Sequence, residues 1–386
     1  MSFSLASQKK SRNIAVISVT SFLLVFSLFT WLFLLPIYLK NLGANDFLIG
    51  LSYSLFGLGY TLAQFFGGYL SDRFGRKYLI VIPTWLFFIL YMLMALSNSW
   101  VYVAAFYLLV SISSAFQSPS FTSMIAESVD DEKVGMGFAA FEFSIMLGIA
   151  LGPFVGSSLV NMFGVRGLII GSAFVSLVAA IIRQLGLIEP TKRQGKTLKK
   201  FVFKRNHVWF IVAGSFMFLC LSFTINGPFL TLFQEEVLKL KESEINMLFG
   251  VAGVPAAILC LVAGWLTDKL GGKKITAVSI VIHALSTLLW VYFGGNIIFL
   301  IVSFVFVQFF YVSYQTVIAK ITTEENRARF AGLFGTISGL VASVGPYMGM
   351  YVKVEAGFVA TFQLCLLFSV LSSLLLTQVT TSERSK

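Results

Sequence analysis

Histidine, cysteine and charge are all scarce in this chain of 386 residues, and each scarcity excludes a class of protein. Two histidines and three cysteines without metal-ligand spacing indicate no metal site, and an odd cysteine count indicates no disulfide framework. Only 12% of the residues are charged, whereas soluble domains carry about 25%. Because 57% of the residues are hydrophobic, a soluble fold could not bury them, and we expect lipid to be the solvent.

Long apolar runs fill nearly the whole sequence. They are about 20 residues long, the length that a helix needs to cross a bilayer. Because the runs do not alternate between polar and apolar residues, they favour helices over a β-barrel. We count twelve runs: 13–38, 48–70, 78–97, 100–124, 135–160, 165–187, 208–233, 246–268, 275–293, 297–319, 330–352 and 357–378. The predicted fold class is an all-α membrane protein with twelve transmembrane helices, numbered here as spans one to twelve.

Basic residues are distributed unevenly between the two sides of the membrane. If both termini lie on one side, all but five of the 28 Lys and Arg residues fall on that side. The five are Lys40, Arg166, Lys239, Lys241 and Lys353. This positive-inside bias predicts a multi-pass plasma-membrane protein with both termini in the cytoplasm. The basic residues behind the net charge of +11 therefore determine the orientation of the protein in the membrane. They are scattered over loops, so we expect no nucleic-acid partner.

A short motif occurs twice in the chain. Gly67–Lys77 reads GGYLSDRFGRK, and Ala263–Lys273 reads AGWLTDKLGGK, 196 residues later. Gly152-Pro153 in span five likewise returns as Gly345-Pro346 in span eleven, 193 residues later. Several landmarks in the same order at nearly the same offset indicate an internal duplication.

The duplication predicts two pseudo-symmetric six-helix bundles, one over residues 1–188 and the other over 207–386. A basic cytoplasmic linker, 189–206, joins them. An even number of spans in each half gives parallel halves, related by an axis along the membrane normal. We expect the partners to be the lipid bilayer and a small-molecule substrate, and the protein to act as a monomer.

The segment Gly68–Lys77 resembles the signature loop of the major facilitator superfamily, and Gly264–Lys273 resembles its second, weaker copy. The segment Gly148–Gly156 resembles the span-five motif of the antiporter branches of that superfamily. The resemblance covers essentially the whole chain. It implies a transporter rather than an enzyme, whose two halves rock to expose a central site to each side in turn.

The resemblance also implies a gating latch. Its candidate residues are Gly68, Asp72, Arg73, Gly75, Arg76 and Glu127. Gly68 is expected to let two helices approach closely. Asp72, Arg76 and Glu127, called the latch below, are expected to hold the cytoplasmic side shut in the outward-facing state. The alternative is a charged turn that only fixes topology. The second copy of the loop has Gly272 at the position of Arg76, so we expect a weaker latch there.

Three glycines recur every fourth residue in span five: Gly148, Gly152 and Gly156. They predict a groove on one helix face that packs tightly on a neighbouring span. Pro153 removes a backbone donor and should kink the helix. The resemblance implies a seal against leak, and generic helix packing is the alternative.

The resemblance assigns spans one, four, seven and ten to the central cavity. The substrate candidates on them are Trp31, Gln117, Asn226, Gln308, Tyr311 and Gln315. Any of these could instead bond a neighbouring helix, but three of them, Gln308, Tyr311 and Gln315, share one face of span ten. Asn226 precedes a Gly-Pro pair where we expect a local break. Arg183, near the end of span six, is expected to extend to the membrane surface.

Glu142 is the one carboxylate well inside a span by these boundaries. An acid in lipid is costly and is a functional candidate by default. It could take up and release a proton and so couple proton flow to transport, or it could pair with a cationic substrate. The structural alternative is a shallow glutamate that reaches the interface. If Glu142 couples transport to protons, we expect an antiporter that exchanges protons for substrate. We expect no cofactor.

The leading functional hypothesis is export of hydrophobic or amphiphilic compounds, as in multidrug efflux, coupled to protons. An aromatic cavity without a cationic clamp suits neutral or amphiphilic solutes. The alternative is uptake or facilitated transport of a neutral solute such as a sugar. A membrane-embedded enzyme or sensor is the hypothesis from a different class. An enzyme needs clustered acids, histidines or a metal set, and the sequence shows no such cluster.

Overall fold

The chain is helical throughout the part that the structure describes. The computed structural model describes residues 2–128, 134–190 and 203–380, and these residues contain no β-strand. Residues 191–202 of the predicted linker lie outside the described residues. In chain order the helices are α1 (Ser2–Phe29), α2 (Leu35–Asn41), α3 (Asp46–Phe74), α4 (Arg76–Leu96), α5 (Trp100–Glu127), α6 (Val134–Gly186), α7 (Arg205–Ser222), α8 (Phe229–Glu236), α9 (Glu242–Leu270), α10 (Gly272–Tyr292), α11 (Ile297–Ile321) and α12 (Glu324–Thr377).

Eight helical segments among the described residues are long and apolar enough to cross a membrane. Two of them are unusually long, Met136–Gly186 with 51 residues and Arg329–Thr377 with 49. Large apolar side chains are exposed along the helices, with Leu261 at 85% and Phe65 at 66%. Such exposure is unfavourable in water and is expected on surfaces that face lipid.

Glycines in the left-handed region mark the sharp changes of chain direction. Gly75, with φ of 98°, separates α3 from α4, and Gly271, with φ of 92°, separates α9 from α10. Gly164 and Gly357 have φ of 63° and 83° and interrupt α6 and α12. A side chain would strain the backbone at each of these angles, so glycine allows two helices to follow one another without a loop.

Two predicted spans are each broken into two helices. In span seven α7 ends at Ser222 and α8 begins at Phe229, which confirms the break expected beside Asn226. Span one, predicted over 13–38, lies within a single candidate membrane span, Arg12–Asn41, but it is not one unbroken helix. There α1 ends at Phe29, a single 3₁₀ turn follows at Leu32–Leu34, and α2 continues from Leu35.

The described chain forms two compact units. The first comprises Met1–Ala44, Gly59–Gly195 and Glu242–Gly250. Within it, α6 packs on α1 and α4, and α4 packs on α5. A small apolar core lies among these helices, around Ile80 and Met124.

The second unit comprises Asn45–Leu58, Lys196–Lys241 and Val251–Lys386. Within it, α12 packs on α7 and α10, and α10 packs on α11. This is the order of neighbours that α6, α1, α4 and α5 show in the first unit. The core of the second unit is rich in phenylalanine, with Phe210, Phe330 and Phe334 stacked in its centre.

Candidate functional site

The latch residues are brought together where α3 meets α4. Arg76 Nη2 lies 2.9 Å from Asp72 Oδ1 and 3.1 Å from Glu127 Oε1. Arg76 Nη1 donates a hydrogen bond of 2.9 Å to the backbone oxygen of Ser71. The arginine side chain is 8% exposed, that of Glu127 is 13% and that of Asp72 is 74%. One buried guanidinium therefore joins the end of α3 to the end of α5.

Glu189 is a residue of this site that sequence reasoning missed. Its carboxylate oxygens accept hydrogen bonds from the backbone N–H groups of Arg76 at 2.7 Å and Lys77 at 2.8 Å. It thus caps the N-terminus of α4, where the helix dipole favours a negative charge. The sequence offered one signal, since Glu189 is the sole acid at the start of the basic linker.

Gly68 does not have the close packing that the sequence predicts. A Cβ atom at Gly68 would meet nothing within 4 Å. The close approach occurs at the preceding residue, Gly67, where a Cβ would lie 3.2 Å from Phe116 Cα on α5. Consecutive helical residues point about 100° apart, so the prediction named the neighbouring face of α3. Arg73 is exposed, with its guanidinium over the Phe74 ring.

The second copy of the loop is built differently. Lys269 lies over the Trp265 ring, at 4.9 Å from its centroid. Among the described residues neither Asp268 nor Lys269 makes an ion pair. Lys273 Nζ donates to the backbone oxygens of Thr377 and Val379 at the end of α12. The charged cluster of the first copy therefore has no equivalent here.

The glycine groove of α6 lies directly on α1. A Cβ at Gly148 would be 2.9 Å from the backbone nitrogen of Phe26, and one at Gly152 would be 2.7 Å from its oxygen. A Cβ at Gly156 would collide with Thr30 and lie 2.8 Å from Asn246 Nδ2. Pro153 stands inside the same helix. The absence of three side chains thus allows two helix backbones to touch.

Two of the predicted cavity residues are packed inside the first unit. Trp31 is fully buried, donates from Nε1 to Ser172 Oγ at 2.8 Å, and meets the rings of Tyr91 and Tyr107 edge-on. Gln117 is also buried, with its amide nitrogen bonded to α4 at the Ile80 oxygen. Both side chains make the helix-to-helix bonds that were the alternative to lining a cavity.

Arg183 does not extend to the membrane surface as predicted, because it is buried with 1% exposure. Its guanidinium donates to hydroxyl groups on two helices, with partners Thr20 and Ser21 on α1 and Thr84 on α4. It also donates to Gln117 Oε1 on α5 at 3.3 Å. A cation that sequence reasoning placed at the interface instead holds four helices of the first unit together.

The other predicted cavity residues form an open polar stripe in the second unit. Gln315 and Asn226 are exposed, and Gln308 and Tyr311 are partly exposed. The Tyr311 side chain lies close to that of Asn226, in the break between α7 and α8. Phe310 and Tyr314 flank Tyr311 with their rings. These four polar residues are called the α11 stripe below.

Glu142 is exposed and makes no hydrogen bond or ion pair within the described part of the chain. Pro153 and Gly156 lie about three and four turns further along α6 and share its helix face. At Gly156, about four turns from Glu142, α6 meets Thr30 of α1 and Asn246 of α9. Clusters of three or more His, Cys, Asp or Glu residues that could hold a metal are absent from the described residues.

Comparisons with known proteins agree with this architecture. A family model described as the Major Facilitator Superfamily matches residues 17–304 and 212–386. An uncharacterized MFS-type transporter of Methanocaldococcus jannaschii is 29% identical over 283 residues, 69% of this chain and 71% of its own length. The multi-drug resistance efflux pump PmrA of Streptococcus pneumoniae is 24% identical over 366 residues, 88% of this chain and 90% of its own.

The fold is also that of solved transporters. The crystal structure of a bacterial homolog to the human lysosomal transporter Spinster, in an inward-facing and occupied conformation, superposes with a TM-score of 0.76. It is 14% identical and covers 96% of this chain and 95% of its own, so it shows the fold alone. With the family model matching most of its length, the chain belongs to the Major Facilitator Superfamily and is a multi-pass membrane transporter, not an enzyme.

Proposed function

We propose that the protein is a secondary transporter that exports hydrophobic or amphiphilic compounds by alternating access. The observation that carries the proposal is the α11 stripe, a set of uncharged amide and phenol groups beside aromatic rings. Lys320, in the last turn, is the only charged residue of α11. A surface of aromatic and neutral polar groups suits apolar solutes that need a few hydrogen bonds for orientation.

The burial of Arg183 supports the same class of substrate. Transport of a phosphate or a di-acid would require an arginine or lysine free to clamp the anion. Arg183 is instead held by four side chains, of which Thr20, Thr84 and Gln117 come from three different helices. Its hydrogen-bonding groups are used inside the protein rather than presented to a ligand.

Two relatives support export. PmrA carries the name of a multi-drug resistance efflux pump, and the quinolone resistance protein NorA of Staphylococcus aureus is 27% identical over 146 residues, 38% of this chain and 38% of its own. At such identity the names favour export of drug-like compounds over the alternative, uptake of a neutral solute such as a sugar.

The proposed topology has twelve passes in two six-helix halves, with both termini in the cytoplasm, and a monomer in the plasma membrane. A straight helix of 51 residues would be about 76 Å long, more than twice the roughly 30 Å of bilayer hydrocarbon. Breaks at Gly164 and Gly357 let α6 and α12 each cross twice. Counting the broken spans one and seven once each, the described helices then supply twelve passes.

The latch is proposed to gate the end of the pathway at which α3 joins α4. Arg76 holds Glu127 of α5, so the ends of α3, α4 and α5 move as one piece. The alternative, an ion cluster that only fixes topology, needs no such link between three helices. Asp72 is the most exposed member of the cluster and the member whose replacement disturbs packing least.

Glu142 is proposed to couple transport to protons. Its exposed carboxylate makes no hydrogen bond or ion pair among the described residues, so it is available to bind and release a proton as the halves rock. A carboxylate that is exposed in one state and enclosed in another changes its proton affinity between them, which is what coupling requires.

Everted membrane vesicles test the proposal. With a proton gradient imposed, vesicles that contain the protein should accumulate a fluorescent hydrophobic dye, and collapse of the gradient should release it. Glu142→Gln should abolish accumulation but leave dye counterflow intact, whereas the exposed Glu355→Gln should behave like the parent. Absence of dye accumulation, together with sugar uptake by whole cells, would refute export. Unchanged proton dependence in Glu142→Gln would remove this residue from coupling.

A further inference from the structure

A second buried ion cluster lies at the opposite end of α3 from the latch. Lys353 of α12 is 6% exposed, and its Nζ lies 2.7 Å from Asp46 Oδ2 and 2.8 Å from Glu236. The ammonium also lies 4.9 Å from the centroid of the Phe358 ring. Asp46 begins α3 and Glu236 ends α8, so one lysine joins three helices of the second unit. These residues, Asp46, Glu236 and Lys353, are called the lock.

The lock closes one end of a separable contact between α3 and α12. A Cβ at Gly50 would lie 2.7 Å from Met350 Cγ, and Ser54 Oγ accepts a hydrogen bond of 3.1 Å from the backbone of Tyr347. One turn further, Gly57 faces Ser343. The α3 side of this contact, called the seam, consists of small residues on one helix face. Such a surface packs closely without interlocking side chains and can part without repacking.

The three charges of the lock are suited to a bond that breaks and reforms. If α3 withdrew, Asp46 would return to solvent at a helix N-terminus, where a carboxylate is favourable. Lys353 would keep Glu236 as its partner, because both come from the second half of the sequence. A buried lysine left without a partner would be strongly unfavourable. Glu236 therefore lowers the cost of opening, while Asp46 stabilises the closed seam.

The repeat contains the same contact without the lysine. In the first unit the start of α9 packs on α6 and α1, with Asn246 Nδ2 donating to the Thr30 oxygen at 2.7 Å and Gly250 against Phe154. At the offsets of the duplication, Glu242 corresponds to Asp46 and Val160 to Lys353. Val160 is buried and uncharged. The first unit thus has valine where the second has Lys353, and Glu242 supplies a control for Asp46.

We propose that Asp46, Glu236 and Lys353 form a salt-bridge lock that holds the seam shut, and that the Asp46–Lys353 bond breaks and reforms in each transport cycle. The lock gates the side of the membrane opposite the latch. It rests on the alternating-access part of the proposed function, and it is independent of substrate and of the direction of transport.

Hydrogen–deuterium exchange of the full-length protein in lipid nanodiscs, without substrate, tests the lock. Asp46→Asn should shift the opening equilibrium of the seam about tenfold toward the open form, equivalent to about 1.4 kcal/mol. Exchange should rise together in 50–58 of α3 and 343–353 of α12. Asp46→Glu should restore slow exchange, and Glu242→Gln should leave the seam unchanged. A rise confined to the first turn of α3 would indicate local fraying and would overturn the lock.

Glu236→Gln distinguishes a lock from a packing cluster. It should slow exchange at the seam, because the open form then leaves Lys353 without a partner. If Asp46→Asn and Glu236→Gln both raise exchange, the cluster is structural and the proposal fails. Opposite signs in the two variants support the lock even if the vesicles export no dye, so failure of the export proposal and failure of the lock give different results.

Discussion

At the scale of single residues, buried cations are the most informative feature of this transporter. Arg76 and Lys353 are each nearly excluded from solvent and each contact two carboxylates. Removing water from a charge is unfavourable unless ion pairs and hydrogen bonds replace it. Each carboxylate that faces such a cation is therefore held in place, and loss of the cation would remove the charge that neutralises both carboxylates.

Arg76→Gln should lower the stability of the protein by about 2 kcal/mol, because Glu127 would remain enclosed without its cation. The measurement is thermal unfolding of the purified protein in detergent. Arg73→Gln is the matched control, since Arg73 is exposed and should shift the midpoint little. Equal midpoints for the two variants would mean that the Arg76 cluster contributes nothing to stability.

The sequence predicted the meeting of Arg76 with Glu127, because a family resemblance supplied the partner. It could not predict the surroundings of Arg183. Serine, threonine and glutamine satisfy that guanidinium, and these residues are common in membrane helices and carry no pattern that points to an arginine. Glu189 was missed for a related reason, because a capping carboxylate can come from any segment that passes the helix end.

At the scale of helices, close backbone contact explains why α6 carries its glycines. Transmembrane helices have little hydrophobic driving force for association, so they depend on close contact and small residues. Gly148 and Gly152 allow α6 to make this close contact with α1, and glycines of α12 make the corresponding contact in the second unit. There, Gly345 of α12 lies against Ser222 and Leu219 of α7, and Gly349 lies against Phe223 and Phe229.

Gly152→Ala should destabilise the protein by about 1–3 kcal/mol, because the new Cβ would lie 2.7 Å from the backbone oxygen of Phe26. The control is Gly171→Ala in the same helix, where a Cβ would meet nothing within 4 Å. That variant should stay within about 1 kcal/mol of the parent. Thermal unfolding in detergent compares the two. A stable Gly152→Ala variant would contradict backbone contact between α6 and α1.

Helix boundaries were predictable where glycine and proline mark them, and less so elsewhere. Gly164 falls between predicted spans five and six, Gly357 is the first residue of predicted span twelve, and the break of span seven follows from its Gly-Pro pair. Span one contains no such pair at its break, where Trp31 precedes the 3₁₀ turn. Tertiary contacts stabilise that turn, including the bond from Asn246 to the Thr30 oxygen, and they lie far away in the sequence.

At the scale of the whole molecule, duplication supplies the architecture, and departures from the repeat supply the chemistry. Arg76 has no arginine counterpart in the second loop, and Lys353 has no lysine counterpart in the first unit. The latch and the lock, at opposite ends of α3, therefore each depend on a cation that only one copy of the repeat carries. If the two halves of the duplication were identical, neither membrane side would have an ion cluster of its own. Because the halves differ, the latch stabilises the closed form at one end of α3 and the lock stabilises it at the other.

Opposite effects of the two clusters follow if both bias one equilibrium. Asp72→Asn should weaken the latch and raise exchange in 68–77 while slowing it at the seam, by less than about 1 kcal/mol because Asp72 is exposed. Asp46→Asn should raise exchange at the seam and slow it in 68–77.

Asp46 and Asp72 lie about 39 Å apart at ~1.5 Å per residue of α3, so the free-energy changes of the two substitutions should add. Exchange of the double variant should therefore lie between those of the single variants at both ends, as measured in nanodiscs. Faster exchange at both ends at once would mean that the ends open independently, and a transporter with two independent gates would leak.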